Sequence, residues 1–347
     1  MTPRIIVFGA GAIGSALSVY LSREGRDLIL IDPWYLQVRT IQDRGISVKG
    51  IDEEFRSSVK ALLPDELEHL DKPADILILA VKSYDTEWAL RLMLPYVQPD
   101  APVLSAQNGL NEEKISSILG PERTVGCVVT MGGAVNAPGH VMRTSSSKNT
   151  ALYIGELNGE SSPRCHSLAE LLSPVGGVEV VADIQARLWS KLAVNCMSNS
   201  ISGLTGMSAG EWRLHPLAQR VGVRIAVETA SVARAHGIKL APLPGGMTQE
   251  MLLTIDQDGL DVACAALENH AKERFSGTGE GRPSLLQDVS KGRRTEVRYL
   301  NGMIVRKAAE VGIETPVNAV MVDLIEKIEM GELASNKNNL NFLKKYV

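Results

Sequence analysis

Along the first half of the chain, short apolar runs alternate with longer amphipathic stretches. Ile5-Ile6-Val7-Phe8 is continuously apolar, as a strand covered on both faces requires. After it come Gly9-Ala10-Gly11-Ala12-Ile13-Gly14, a helical stretch over 15–21, and a second apolar run, Leu28-Ile29-Leu30-Ile31, that stops at Asp32. The same reading predicts strands at 75–81, 103–105 and 125–130. The first of these ends in Lys82-Ser83-Tyr84-Asp85 and the second in Gln107-Asn108-Gly109. Shorter strands are expected at 141–144, 151–154 and 178–181, with a turn over 145–149. Strands alternating with helices predict an α/β domain built on a mostly parallel sheet.

The pattern changes between Val181 and Arg187, which divides the chain into a first domain, 1–183, and a helical second domain, 184–347. One predicted helix, 186–203, places Lys191, Asn195 and Asn199 at successive i+4 positions, hence on one face. Leu192, Ala193, Val194, Cys196 and Met197 surround that stripe, so the helix is buried and its polar groups either bond other helices or line a cavity. Further on, Ser284 and Gln287 have the spacing of a capping box, and a helix start there would also seat a carboxylate. Thr295 is a candidate helix cap with Glu296 in the first turn, where either the helix dipole or catalysis would account for an acid. Residues 335–347 are polar and basic and read as a surface tail.

The glycines at 9, 11 and 14 stand between a strand and a helix, the setting in which G-x-G-x-x-G binds a dinucleotide on a Rossmann-type fold. Gly9 permits the turn, Gly11 lets the backbone near a pyrophosphate, and Gly14 allows close packing. The main-chain N–H groups from Ala10 through Ala12, Ile13 and Gly14 then face the phosphates at the positive end of the helix dipole. Asp32, at the end of the second strand, suits the ribose hydroxyls of NAD and repels the 2′-phosphate of NADP. Arg39 is the first base after it and keeps NADP in contention, so NAD is favoured over NADP rather than NADP being excluded. Lys82 and Asn108 end their strands on the side where such sheets bind ligands.

Composition narrows the alternatives. The 347 residues include 44% hydrophobic and 22% charged, ordinary for a globular chain of two domains. With a net charge of −4 there is no global field for nucleic acid or an anionic membrane, and Lys291-Gly292-Arg293-Arg294 reads as a solvated face. No apolar run reaches the length of a membrane span, and the chain passes from Met1-Thr2-Pro3-Arg4 straight into its first strand, with no signal peptide expected. Cys127, Cys165, Cys196 and Cys264 lack the spacing of a disulfide framework or a zinc site, and no histidine pair suggests a metal. A cytoplasmic protein is expected.

These segments together resemble the ketopantoate reductase family, the 2-dehydropantoate 2-reductases that reduce ketopantoate to pantoate on the route to coenzyme A. The resemblance rests on Gly9 to Gly14, Ala80-Val81-Lys82, Gln107-Asn108-Gly109 and Pro138-Gly139. It rests also on Leu188 to Cys196 with Asn199, on Ser284, and on Thr295-Glu296 with Leu300-Asn301-Gly302. It implies an all-helical second domain like that of 6-phosphogluconate dehydrogenase, pantothenate biosynthesis as the setting, and a homodimer. It implies Lys191 as the catalytic lysine, which polarises the 2-oxo group and donates a proton, and Glu296 as its acidic partner. Asn195, Asn199 and Ser284 match positions around a small carboxylate substrate, and Lys82 and Asn108 match positions beside the cofactor. Two departures stand out. Asp32 replaces the family's usual base, and Ala209 and Gly281 stand where the ketopantoate pocket often has asparagines. They favour an alternative on the same scaffold, an NAD-dependent catabolic dehydrogenase of another hydroxy acid or alcohol. A non-catalytic dinucleotide sensor would have no use for Lys191 and Glu296.

Overall fold

The structure, a computed structural model, describes residues 2–275 and 281–347. It divides into two compact units, Met1–Gln185 and Ala186–Val347.

Unit 1 begins β1 (Ile5–Phe8), α1 (Ala12–Arg23), β2 (Leu28–Ile31), α2 (Tyr35–Arg44), β3 (Ile46–Lys49), β4 (Glu54–Ser57), β5 (Lys60–Leu62) and β6 (Ile76–Leu79). It continues α3 (Thr86–Met93), β7 (Val103–Ser105), α4 (Glu112–Leu119), β8 (Thr124–Val129), β9 (Gly133–Ala137), β10 (His140–Arg143), β11 (Thr150–Glu156), α5 (Pro163–Leu172) and β12 (Gly177–Val180). The main sheet has the order β12-β11-β8-β7-β6-β1-β2-β5 and is parallel except between β8 and β11. Its part from β5 to β8 is the doubly wound arrangement, and the strand order reverses between β1 and β6.

Every residue of β1, β2 and β6 is buried, which explains their unbroken apolar runs. Alternate side chains feed two cores. Ile5, Val7, Leu28 and Leu30 pack with Leu17 and Leu21 of α1; Ile6, Phe8, Ile29 and Ile31 pack with Leu90 and Met93 of α3.

A second sheet, β4-β3-β10-β9, lies against α1. Sequence patterning assigned no strand to 46–62 or 133–137. These strands have five residues at most, and β4, with Glu54, Arg56 and Ser57, has no buried residue to mark it. The strand expected around Val141 belongs to this second sheet.

Unit 2 is helical: α6 (Ile184–Thr205, beginning two residues before the boundary), α7 (Ala209–Leu214), α8 (Pro216–Ala235), α9 (Gln249–Leu253), α10 (Gln257–Phe275), α11 (Ser284–Ser290), α12 (Asn301–Glu310) and α13 (Pro316–Glu329). Among its described residues, the only strand-like pairing is an isolated bridge between Leu243 and Met247.

Two expectations need correction. The C-terminal stretch is no loose surface tail. Residues Lys337–Tyr346 form a 3-10 helix that buries Leu340 and Leu343. The Asn336 N–H and Asn339 Nδ2 donate to the Leu204 carbonyl at 3.0 and 3.1 Å, and Ser335 Oγ donates to that of Gly203 at 2.7 Å. The docked segment thus satisfies carbonyls that the last turn of α6 would leave open. The capping box predicted at Ser284 is also absent, because Pro283 is the cap residue and Gln287 Nε2 turns back to the Arg282 carbonyl. The capping box found here is Ser208 with Glu211, at the start of α7.

All four cysteines are buried and unpaired. Among the described residues no helix is long and apolar enough to cross a membrane, and no group of three His, Cys, Asp or Glu side chains could hold a metal ion.

Candidate dinucleotide and substrate sites

In unit 1 the loop after β1 passes Gly9 at φ +116°, a region that favours glycine. A Cβ on Gly9 would lie 2.5 Å from the Ala80 carbonyl carbon, so the loop also sits hard against the end of β6. A Cβ on Gly14 would fall 1.8 Å from the Gly9 carbonyl oxygen, which makes Gly14 a contact of α1 with the loop more than with a strand. Around Gly11 a Cβ would meet nothing within 4 Å, the open approach that a phosphate against the backbone requires. Gly11 caps α1 without any side-chain bond to its first N–H groups.

Gln37 of α2, fully buried, fixes this loop. Its Nε2 donates to the Ala10 carbonyl at 3.0 Å, and its Oε1 accepts the Gly139 N–H at 2.9 Å. Ser15 Oγ donates to the same Ala10 carbonyl at 2.9 Å. The Pro138-Gly139 turn is therefore tied to the glycine loop through one side chain that sequence patterning did not single out.

Asp32 is half-buried. One carboxylate oxygen accepts the Ala10 N–H at 2.5 Å, so this N–H, expected to face the phosphates, is already taken by Asp32; the other accepts the Trp34 N–H at 2.7 Å. Burial raises its pKa, opposed by these two donors. Each oxygen keeps a second lone pair for a ribose hydroxyl. Arg39 points its guanidinium at Glu66 (2.7 Å) and at Gln42 Oε1 (2.7 Å), over the ring of Tyr35.

Lys82 and Asn108 are half-buried at the ends of β6 and β7, and a polar network joins their segments. Ser83 Oγ and Asn111 Nδ2 donate to the Asn108 carbonyl at 2.8 and 2.7 Å. Gln107 Nε2 donates to the Val81 carbonyl at 2.9 Å and to Thr86 Oγ1 at 2.8 Å. Next to Asn111, the carboxyl of Glu112 is almost wholly buried, and its Oε2 has no hydrogen-bond partner. Burial pushes its pKa up to about 8, although backbone N–H groups of Glu112, Cys127 and Asn111 oppose the rise.

In unit 2 the predicted stripe is real and continues onto a second helix. Lys191 is half-buried on α6, with Asn195 and Asn199 buried after it. Asn199 Nδ2 donates to Asn195 Oδ1 at 3.2 Å, while Asn199 Oδ1 accepts from Ser284 Oγ at 3.0 Å and from the Leu285 N–H at 3.2 Å. Asn199 is thus the side chain that caps α11, the role expected of Ser284. Two donors on its oxygen fix which way the amide faces, so that Asn195 meets it through Oδ1.

Glu296 is buried, and its carbonyl accepts the N–H groups of Tyr299 (2.8 Å) and Leu300 (3.0 Å) in a single 3-10 turn, Val297–Tyr299. Thr295 Oγ1 accepts the Val297 N–H at 3.2 Å, so Thr295 caps that turn; α12 starts only at Asn301. Asn301 Nδ2 bonds the Cys196 carbonyl at 3.2 Å and Asn318 Oδ1 at 2.9 Å, which fastens the segment after Glu296 onto the lysine helix. Ala209 and Gly281, far apart in sequence, are neighbours: the Ala209 N–H donates to the Gly281 carbonyl at 3.0 Å. A cavity of about 480 Å³ in unit 1, lined by Tyr20, Arg23 and Glu53 among others, lies at the opposite end of α1 from the glycine loop.

Known proteins resemble this chain in sequence and fold. The model of ketopantoate reductase PanE/ApbA matches residues 5–159, and that of its C-terminal part matches 183–329. A 2-dehydropantoate 2-reductase of Pyrococcus abyssi is 30% identical over 93% of this chain and 97% of its own. A PanE/ApbA family ketopantoate reductase of Ralstonia eutropha JMP134 superposes with a TM-score of 0.76 at 28% identity, covering 95% of this chain and 99% of that one. D-mandelate dehydrogenase, solved with NADH and anilino(oxo)acetate, shares the fold at a TM-score of 0.80 and 23% identity over 94% and 99% of the two chains. The chain belongs to the ketopantoate reductase PanE/ApbA family, nicotinamide-dependent oxidoreductases that act on 2-oxo acids.

Proposed function

We propose that this chain reduces a small 2-oxo carboxylate, ketopantoate first among candidates, and uses NADH in preference to NADPH. The bonded row Asn195–Asn199–Ser284, in line with Lys191, carries the reading. A buried row of side-chain amides and a hydroxyl one turn from a lysine is costly in a helix core unless it serves polar recognition.

The residues of unit 1 fit a dinucleotide. Gly11 leaves its backbone open, the first N–H groups of α1 have no side-chain cap, and Asp32 stands ready for ribose hydroxyls. The nicotinamide supplies a hydride for the 2-oxo carbon. Lys191 donates the proton that the carbonyl oxygen needs as it becomes a hydroxyl, and its charge stabilises that oxygen while it is anionic. Glu296 accepts a hydrogen bond from a substrate hydroxyl. Ser284 and the two asparagines orient the carboxylate, and Lys82 and Asn108 border the cofactor. The two domains of the proposal are 1–183 for the dinucleotide and 184–347 for the substrate. Four buried thiols suit a reducing compartment, and pantothenate biosynthesis in the cytoplasm is the proposed setting.

Wild type assayed with NADH and NADPH against a panel of 2-oxo acids tests this. NADH-linked turnover of ketopantoate is expected, and turnover with NADPH only would overturn the cofactor choice. The pairing of Ala209 with Gly281 favours a second reading. Two small residues at positions where the ketopantoate pocket often has asparagines would suit a bulkier substrate, and faster turnover of a larger 2-oxo acid than of ketopantoate would establish it.

A further inference from the structure

Glu66 follows β5, the edge strand next to β2, and its position ties three elements together. The Asp32 N–H donates to the Leu62 carbonyl at 3.3 Å, so the ends of β2 and β5 are adjacent. Glu66 Oε2 accepts the Leu63 N–H at 2.8 Å, which anchors the carboxylate beside that junction. Its Oε1 lies 2.7 Å from Nη1 of Arg39. Gln42, one turn after Arg39, accepts from the same guanidinium and donates through Nε2 to the Ala61 carbonyl at 2.9 Å. Helical side chains lean toward the helix start, and the Arg39 guanidinium does so, with its Cζ 5.1 Å from the centre of the Tyr35 ring in the first turn of α2. The first base after Asp32 therefore lies near the end of β2, the ribose side of a doubly wound fold, already paired with a carboxylate.

We propose that Glu66 is the second determinant of cofactor choice: by engaging Arg39 it withholds from a 2′-phosphate a cation near the end of β2 that could bind it. The inference rests on the preference for NADH and adds a cause that Asp32 alone does not supply. Asp32 repels a 2′-phosphate directly. Glu66 acts through Arg39, both by holding the guanidinium in place and by neutralising its charge. Glu66 is itself held as a carboxylate, its pKa lowered by the Leu63 N–H and by Arg39.

The test is direct binding of NADH and NADPH, by calorimetry or nicotinamide fluorescence, to wild type, Glu66→Gln, Arg39→Ala and the double variant. Gln at 66 keeps an acceptor for Leu63 and loses only the charge. Glu66→Gln is expected to tighten NADPH about 5- to 10-fold while NADH changes less than about twofold, with the gain shrinking as salt rises. Arg39→Ala added to Glu66→Gln should abolish the gain. A ratio of NADPH to NADH affinity unchanged by Glu66→Gln, or a gain that survives loss of Arg39, overturns the proposal. If Glu66→Gln misfolds, Arg39→Ala alone decides: the proposal expects no loss of NADPH affinity, and a loss of about 10-fold or more would show that Arg39 serves the phosphate in wild type. Wild type preferring NADPH would sink the NADH reading by itself, whatever the ratios between variants show.

Discussion

In unit 1 the groups that would meet a ligand are chiefly main-chain N–H groups and the Asp32 carboxylate, with Lys82 and Asn108 beside them, placed by glycines and by the ends of strands. In unit 2 they are side chains on one buried helix and on the turns fastened to it. The first kind of site is a matter of backbone shape. It tolerates any residue that preserves the shape and none that fills it. The second kind depends on the identity of each side chain, so a single truncation removes both a ligand contact and the partner that holds its neighbour.

The largest effect expected is at Lys191. Lys191→Ala should lower kcat by roughly 10²–10⁴-fold while the Kd for NADH, measured by fluorescence, stays put. Turnover that survives the substitution would leave the helix without its chemistry. Next come two glycine substitutions that split the backbone site by kind. Gly14→Ala forces a methyl into the Gly9 carbonyl and should cost about 3 kcal/mol of stability with loss of cofactor binding. Gly11→Ala has room and should melt like wild type yet bind NADH at least ~10-fold more weakly, because a methyl then stands where the phosphate meets the backbone. Equal melting points for the two variants would break the comparison.

Two acids, Glu228 of unit 2 and Glu112 of unit 1, are held differently. Glu228 on α8 accepts from the Val317 and Asn318 N–H groups and from Asn318 Nδ2, at 2.7–2.9 Å. Glu112 lacks any such partner on Oε2, and its pKa is about 8. A carboxyl raised in the fold binds a proton that the unfolded chain has released above pH ~4.5, so its contribution to stability fades as pH climbs from there to about 8. Glu112→Gln should erase that slope. Its stability relative to wild type should rise between pH 5 and 8 by roughly 3 kcal/mol, read from denaturant midpoints. Parallel pH profiles would show that the acid is solvated. The smallest effect is at Asn199: its change to Ala removes the acceptor of the Leu285 N–H and of Ser284 Oγ and one donor to Asn195, and should cost about 1–2 kcal/mol and raise KM for the carboxylate substrate.

Legibility in the sequence follows the same division. The glycine loop, the apolar strands and Asp32 are visible because each is a local pattern with one physical cause. The stripe of Lys191, Asn195 and Asn199 is visible because helical periodicity places its members. What stays hidden is pairing across the chain. Nothing near Gln37 shows that it will hold Ala10 and Gly139, and nothing near Ser284 shows that Asn199 will take over its capping role. The same holds for Arg39, whose partner Glu66 follows a three-residue strand too short to give a pattern. The closing segment misleads for a related reason: its polar residues outnumber Leu340 and Leu343, and three of them, Ser335, Asn336 and Asn339, dock on carbonyls at the end of a distant helix.

The bonds from Gly139 through Gln37 to Ala10 make the second sheet part of what holds the glycine loop in shape. A graft that replaced 133–143 with a hairpin of another length would shift a residue more than a hundred positions away, so this hairpin is poor ground for insertions. The Gly139 amide is equally a natural reporter. Its rate of hydrogen exchange should register a dinucleotide seated at Gly11, although no part of the hairpin need touch it.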